Sequence, residues 1–343
     1  EMIARLVGSE MCIRDRLIAD ASSVFEVISQ RSSNRFWIRS CSLGQSIHPQ
    51  KMKTTKKITV PPMTIRLLIR LIYLKDLISP KLIRMKILPL LLCQNLILSP
   101  IFSETKPAHP SVDETDEAIT VCNEEGKPVF QYLKKPSRES KNHAPHYSRT
   151  GYIHPLYSPS GKIITGDYAP DHPHQHGLFF AWTKSSFRGK PTEFWNQKKQ
   201  LGDIRYQGSE WKREKSGKII FNSEQIFTTG KDSDEPILTE TWQIEIPAKQ
   251  NEYHQFDLIS TQACATDEPL LIQKYHYGGM AIRGNDQWIK TDKHGKPVGK
   301  MITSEDKNRE NGNHSRPRWV AMYGQVDGEE CGVVVMNHPS NFR

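Results

Sequence analysis

The sequence lacks paired cysteines, nucleotide-binding loops and long apolar runs, and each absence removes a class of function. Six cysteines occur in 343 residues. None lies in a C-x-x-C pair, so neither a zinc knuckle nor a thioredoxin-like centre is supported. There is no P-loop, no G-x-G-x-x-G, no G-x-S-x-G and no H-E-x-x-H, which leaves nucleotide-dependent chemistry and the common hydrolase elbow without a basis. From residue 104 onward no apolar run approaches the ~20 residues needed to span a bilayer as a helix. No segment carries a sustained helical stripe.

Excess charge is also missing from most of the chain. The net charge is +9, but residues 1–84 carry 15 Lys and Arg against 6 Asp and Glu, while residues 85–343 carry 32 of each. The larger part has no basic stripe, so the electrostatic footprint of a nucleic-acid binder is absent. Residues 1–84 are expected to be spurious or disordered. Their "VGSEMCIRDR" resembles a translated sequencing-adapter fragment, and residues 64–84 would at most form a basic amphipathic helix at a membrane surface.

A leader-like segment follows. Residues 85–103 begin with Met85 and Lys86, continue through an apolar run, and end at Ser103 before a polar stretch. This is the outline of a signal peptide and implies a periplasmic or secreted protein. Pro89, Gln94, Asn95 and Pro100 interrupt the run, which argues against a membrane span. Cys122, Cys264 and Cys331 remain beyond it and allow at most one internal disulfide. Residues 104–117 are acidic and Pro-containing, the composition of a linker.

From residue 118 the pattern is that of an all-β protein. Short β-branched and aromatic runs such as "AITVCN", "KIIFNSEQIFTT" and "YHQFDLISTQAC" alternate with Gly, Pro, Asn and Asp turns. In "LTETWQIEI", Leu238, Trp242, Ile244 and Ile246 share one face and Thr239, Thr241, Gln243 and Glu245 the other, which means a sheet with one buried side. Ten or more such strands predict a single large antiparallel β-sandwich over residues 118–343. The chain stops just after a strand, so truncation of the domain at its C-terminus is expected.

What is present, against this background, is histidine. "DHPHQHG" places His172, His174 and His176 on alternate positions, which would project to one side of an extended chain. Three readings stand beside one another. The first is a metal site, with a third ligand from Glu193, His276, His314 or His338. The second is acid–base work tuned by Asp171 or Asp167. The third is a polar corner turned by Pro173.

Further candidates follow along the chain. Trp182, Glu193 and Trp195 combine aromatic faces with polar groups, as a sugar cleft requires. His276 and Tyr277 precede a Gly-Gly turn and then Arg283. The polar loop around Asn311, His314, Arg316 and Arg318 enters a strand, and Arg316 would hold a carboxylate or an oxyanion. His338 lies in the last polar turn. Glu240 is the lone acid on an apolar face, either at a strand end or buried with a raised pKa.

Through "YIHPLYSPSGK", "DHPHQHGLFFAW", "EFWN" and "NHSRPRWVAMYGQVDGEECGVVVMNHPSN" the chain resembles a bacterial family labelled PmoA-like. That label implies a methane mono-oxygenase subunit, which conflicts with the lack of apolar spans. The resemblance implies a shape similar to the galactose-mutarotase supersandwich, in which His and carboxylate groups on a concave sheet handle sugars. Related sequences often carry Arg at the position of His176, which weakens a three-histidine metal site.

The expectation is therefore a carbohydrate-active protein of hydrolase, lyase or epimerase type. His172, His174 and His276 would serve as acid–base groups and Arg316 would stabilise charge. Trp182, Trp195, Glu193, Tyr277, His314 and His338 would contact a carbohydrate or other small polar ligand. No cofactor is required. The alternatives are a non-catalytic carbohydrate-binding protein and a metal-dependent β-barrel enzyme.

Overall fold

The computed structural model describes residues 109–250, 252–339 and 341, together with three earlier strands given by their backbone pairing. All described strand pairings are antiparallel. The earlier strands are β1 (Ser23–Ser29), β2 (Phe36–Ser42) and β3 (Met63–Tyr73). They are followed by β4 (Ser111–Glu114), β5 (Ala118–Cys122), β6 (Pro128–Leu133) and β7 (Tyr152–Leu156). Next come β8 (Asp167–Ala169), β9 (His172–His176), β10 (Leu178–Ala181), β11 (Ser185–Phe187) and β12 (Lys190–Thr192). Four long strands follow, β13 (Asp203–Arg213), β14 (Ile219–Thr228), β15 (Pro236–Ile246) and β16 (His254–Cys264). The last are β17 (Leu270–Ile272), β18 (Gly279–Ile282), β19 (Lys300–Thr303), β20 (Trp319–Val326) and β21 (Glu329–Asn337).

The chain is an all-β sandwich. A six-stranded sheet in the order β18-β10-β7-β6-β5-β4 packs on an eight-stranded sheet in the order β13-β14-β15-β16-β3-β21-β20-β19. Alternation produces this layering. In β14, β15 and β16 every second residue is buried, including Phe221, Trp242, Phe256 and Leu258. Tyr132 and Phe130 of β6 meet them from the other sheet, with ring centroids 5.2 Å from Phe221 and 5.0 Å from Phe256 respectively. Period-2 burial on one face of each sheet is what two facing sheets require.

Several local expectations are corrected. The stretch read as a basic helix over residues 64–84 is a strand from Met63 to Tyr73. It lies between β16 and β21, pairing with both. Backbone groups at the facing edges of those two strands need partners, and an extended segment supplies them where a helix cannot. Strands β1 and β2 also belong to the segment set aside as spurious or disordered, and they extend a smaller sheet through β17. Part of the expected linker, Ser111–Glu114, is an edge strand on β5. The expected signal peptide, residues 85–103, lies outside the described residues. No described helix is long and apolar enough to cross a membrane. Cys122, Cys264 and Cys331 are buried free thiols, so the disulfide that three cysteines would allow is not formed among them.

Candidate functional site

The histidine motif is itself a strand. β8 and β9 form a separate two-stranded hairpin in which Asp167 pairs with His176 and Ala169 with His172, with a register shift between the two pairs. The turn expected at Pro173 lies earlier, because Pro170 and Asp171 separate the strands. Proline is tolerated in β9 because this is a two-stranded ribbon with an unpaired edge. Tyr168, at the register shift, has φ of 49°, a left-handed conformation that few non-glycine residues adopt. Its ring stacks on His143 at 5.0 Å and meets His176 edge-on at 4.7 Å.

Burial separates the three histidines. His176 is fully buried. Its Nδ1 lies 2.8 Å from Asp167 Oδ1, and its Nε2 lies 3.4 Å from Gln197 Oε1. Asp167 also accepts from the Tyr152 hydroxyl at 2.9 Å and the Ser137 hydroxyl at 2.6 Å. Burial pushes the Asp167 carboxyl up, but the hydrogen bond and charge of His176, with help from His154 and Ser137, hold it below the usual value. Every polar atom of this centre has a partner, which is the condition for burying it. Such a closed network orients the hairpin and leaves no group of His176 for a ligand.

His172 and His174 behave differently. Both are half-buried, with ring centroids 5.5 Å apart. Burial lowers the pKa of both, that of His174 to about 4. Both are therefore neutral imidazoles near pH 7 and can accept a proton.

Beside them lies Arg283, 1% exposed, at the end of the apolar strand β18. It donates through Nη2 to Asp171 Oδ1 at 2.5 Å and through Nη1 to Gln175 Oε1 at 2.8 Å. Asp171 Oδ2 lies 3.2 Å from His172 Nδ1. Asp286 follows in a short 3-10 turn, Asp286–Ile289. Its Oδ1 is buried without a protein partner, and burial raises its pKa. The approach of this turn depends on Gly166, where a Cβ would come within 2.7 Å of Asp286 Oδ1 and 2.9 Å of the Gly284 carbonyl. The hairpin thus presents two neutral imidazoles next to a fixed guanidinium, with the half-buried Asp286 carboxyl following it.

The other expected residues form separate groups. Asn196 donates to Glu193 Oε1 at 3.2 Å and to the Tyr277 hydroxyl at 2.9 Å. Burial raises the pKa of Glu193, and it pushes the Tyr277 hydroxyl up to about 12. His276 is exposed and packs on Tyr275 and Tyr277 at 4.2 and 4.7 Å. It belongs to this aromatic group.

Trp195 is corrected as a sugar-stacking residue. It is 2% exposed, packed between Phe179 at 4.9 Å and Tyr277 at 5.3 Å. Its ring faces are occupied by protein, because the tail of the "LFFAW…EFWN" segment folds inward. Trp182 is half-buried against Phe180, and its indole N–H donates to Gln262 at 2.8 Å. His314 and His338 are exposed. Arg316, in the loop before β20, keeps a buried Nη2 without a protein partner.

Among the described residues no three His, Cys, Asp or Glu side chains converge as a metal ion would need. The charged partner that the sequence showed without a role is Arg283. Its signal was present as the one charge closing the apolar run "GMAIRG". What singles it out is that Asp171 meets it from 112 residues away in the sequence.

A family model matches residues 120–343, and its description is that of a family of unknown function, DUF6807. No curated protein and no solved structure matches the chain.

Proposed function

Since the chain belongs to the DUF6807 family, whose function is unknown, its own side chains must carry the reading, and we propose that it is a carbohydrate-active enzyme using histidine acid–base chemistry. The observation that carries this is His174. It is an imidazole kept neutral by burial, 5.5 Å from a second neutral imidazole and beside a buried arginine that is paired with the exposed Asp171. A neutral imidazole removes a proton from a hydroxyl or from carbon, and a fixed guanidinium steadies the negative charge that develops. Asp286, whose carboxyl keeps its proton more readily than usual, is suited to return one. Hydrolase, lyase and epimerase steps all need such a base and acid.

The carbohydrate part of the proposal rests on the resemblance to the PmoA-like family and on the Glu193, Asn196 and Tyr277 group. Those polar atoms lie beside the exposed ring of His276 and the half-buried ring of Tyr275, the mixture that sugar hydroxyls and ring faces require. A periplasmic or secreted location is part of the same proposal and rests on the leader-like residues 85–103. The test is turnover of a panel of oligosaccharides and uronic-acid polymers by the purified protein and by His174→Ala. Loss of turnover with an unchanged melting temperature supports the assignment, and full turnover by the variant ends it.

A second reading, a non-catalytic carbohydrate-binding protein, is favoured by one observation. The Glu193, Asn196 and Tyr277 polar atoms are hydrogen-bonded into one group beside the His276 and Tyr275 rings, a surface that can hold a sugar without turning it over. Glycan binding without any product on prolonged incubation would select it.

A further inference from the structure

One charged side chain near the histidine hairpin has no part in the chemistry above. Arg309 stands in the loop between β19 and β20 and is half-buried. Its Nη1 donates to the Gly299 carbonyl at 3.1 Å. The Gly299 N–H donates in turn to the Trp288 carbonyl at 2.9 Å. Trp288 is 1% exposed and belongs to the same short turn as Asp286. Two glycines let it lie there. A Cβ at Gly284 would come within 2.7 Å of the Trp288 ring, and one at Gly299 within 2.5 Å of the Trp288 Cβ. Gly284 directly follows Arg283. Trp288 is therefore the spacer that sets Arg309 within range of Arg283.

The two guanidiniums are close enough to repel. Burial, and then the charge of Arg283, lowers the pKa of Arg309, and the charge of Asp171 offsets part of this. The Asp171 carboxylate is already engaged. It accepts from Arg283 at 2.5 Å and lies 3.2 Å from His172 Nδ1. Among the described residues Arg309 forms no ion pair of its own. Its Nε, like that of Arg283, is buried without a protein partner. Cations withdrawn from water are as a rule paired and hydrogen-bonded, because desolvation is otherwise uncompensated. Here two arginines share one aspartate. Asp286, read above as the proton donor, is uncharged in that role and adds no negative charge.

We propose that this cluster binds an oxyanion carried by the substrate, so that the sugar is an acidic one, and that Arg309 is the residue that selects it. The inference rests on the reading of His174 as the base and Asp286 as the protonated acid. Access is from the surface, since Asp171 is exposed and His172, His174 and Arg309 are half-buried. The charge of Arg283 also reaches His174, so base and cations belong to one site. A guanidinium holds its N–H donors in a plane that matches two oxygens of a carboxylate or of a sulfate ester. The uronic acids and the sulfated sugars share that chemistry. A neutral sugar offers hydroxyls, which hydrogen-bond but leave the positive charge unanswered. A cationic sugar is repelled.

The experiment is isothermal titration of the full chain with oligosaccharides of galacturonic, glucuronic and mannuronic acid and of a sulfated galactose. Each is set beside its neutral counterpart. At least one acidic member is expected to bind ~10-fold or more tightly than its counterpart, the gain of one charge-assisted pair. The preference should shrink as salt is raised. Whether a uronate or the sulfated sugar shows it tells carboxylate from sulfate. Arg309→Gln should abolish the preference and leave the affinity for the neutral member unchanged, a split that a merely structural role would not produce. Arg309→Lys keeps the charge without the planar fork and should retain part of it. If Arg309→Gln melts early, Arg309→Lys and the salt series of the parent decide. Equal binding of acidic and neutral members, binding of none, or a preference that survives Arg309→Gln in the folded protein would each overturn the inference. Turnover of neutral sugars alone would also overturn it, while leaving His174 as the base. Tight binding of an acidic sugar without turnover would uphold the oxyanion site and end the catalytic reading.

Discussion

Asp167 and His176 face each other across the β8–β9 hairpin with Oδ1 and Nδ1 2.8 Å apart and neither side chain more than 1% exposed. The hairpin has only two strands and little apolar surface of its own. This buried pair, with Tyr152 and Ser137 on the second carboxylate oxygen, is what seats it against the six-stranded sheet. The third histidine of the motif therefore anchors the first two.

Replacing Asp167 by Ala leaves His176, Tyr152 and Ser137 without their shared acceptor. Leaving buried hydrogen-bond donors unpaired costs about 1–3 kcal/mol for each group. Asp167→Asn keeps one acceptor oxygen and should cost less. Urea denaturation followed by tryptophan fluorescence measures both, and equal stability of Asp167→Ala and the parent would refute the anchoring role.

His174 and His176 should part in their variants. His174→Ala is expected to remove the proposed activity while shifting stability by less than ~1 kcal/mol, since its ring is half-buried and has no charged partner of its own. His176→Ala removes a fully buried, hydrogen-bonded ring and should cost about 2–4 kcal/mol. The same pair of measurements, turnover and melting temperature, decides whether the two are separable.

Acid should destabilise the fold through its buried histidines. Burial lowers the folded-state pKa of His154, His172, His174 and His254, that of His174 to about 4. Below the ordinary histidine value the unfolded chain takes up protons that the folded chain refuses. It then binds more protons, so stability falls as pH falls. For His174 the loss begins near the ordinary value and levels off near pH 4. His174→Asn should make the melting temperature less sensitive to pH across that window. An unchanged pH dependence would show that His174 takes up its proton as readily in the fold as in the unfolded chain, against a pKa lowered by burial.

Two glycines should respond oppositely to alanine. At Gly177, between β9 and β10, a Cβ would overlap the Ile153 carbonyl oxygen of β7 and come within 2.8 Å of the His154 Cβ. Backbone cannot move aside as a flexible side chain can, so Gly177→Ala should cost about 3 kcal/mol or more. At Gly208, in the irregular stretch of β13, a Cβ meets nothing within 4 Å, and Gly208→Ala should change stability by no more than ~0.5 kcal/mol. Thermal melts of the two variants test the close approach of β7 and the hairpin.

The histidine site was only half legible in the sequence. The alternation of His172, His174 and His176 was visible, and so was their proximity to Asp167 and Asp171. That they divide into a buried anchor and two half-buried neutral imidazoles depends on which neighbours cover each ring, and those neighbours come from Gln197, Arg283 and the turn at Asp286. Strand β13 escaped notice for a related reason. Its outer end, "EWKR", is exposed on both faces at the edge of the sheet, so no period-2 contrast marks it.

Composition and alternation by themselves determined the class of this protein. Short β-branched runs with period-2 burial between turn residues can bury their apolar face only against another sheet, and the all-β sandwich follows. Glu240, on the same face as Trp242, was already conspicuous in that pattern. Only the tertiary structure decided what the polar residues do, because hydrogen bonding and burial act between residues far apart in sequence. It joined Asp171 to Arg283, packed His276 against Tyr275 and Tyr277, closed the faces of Trp195, and set Glu240 against Ser260 and Gln262 of β16.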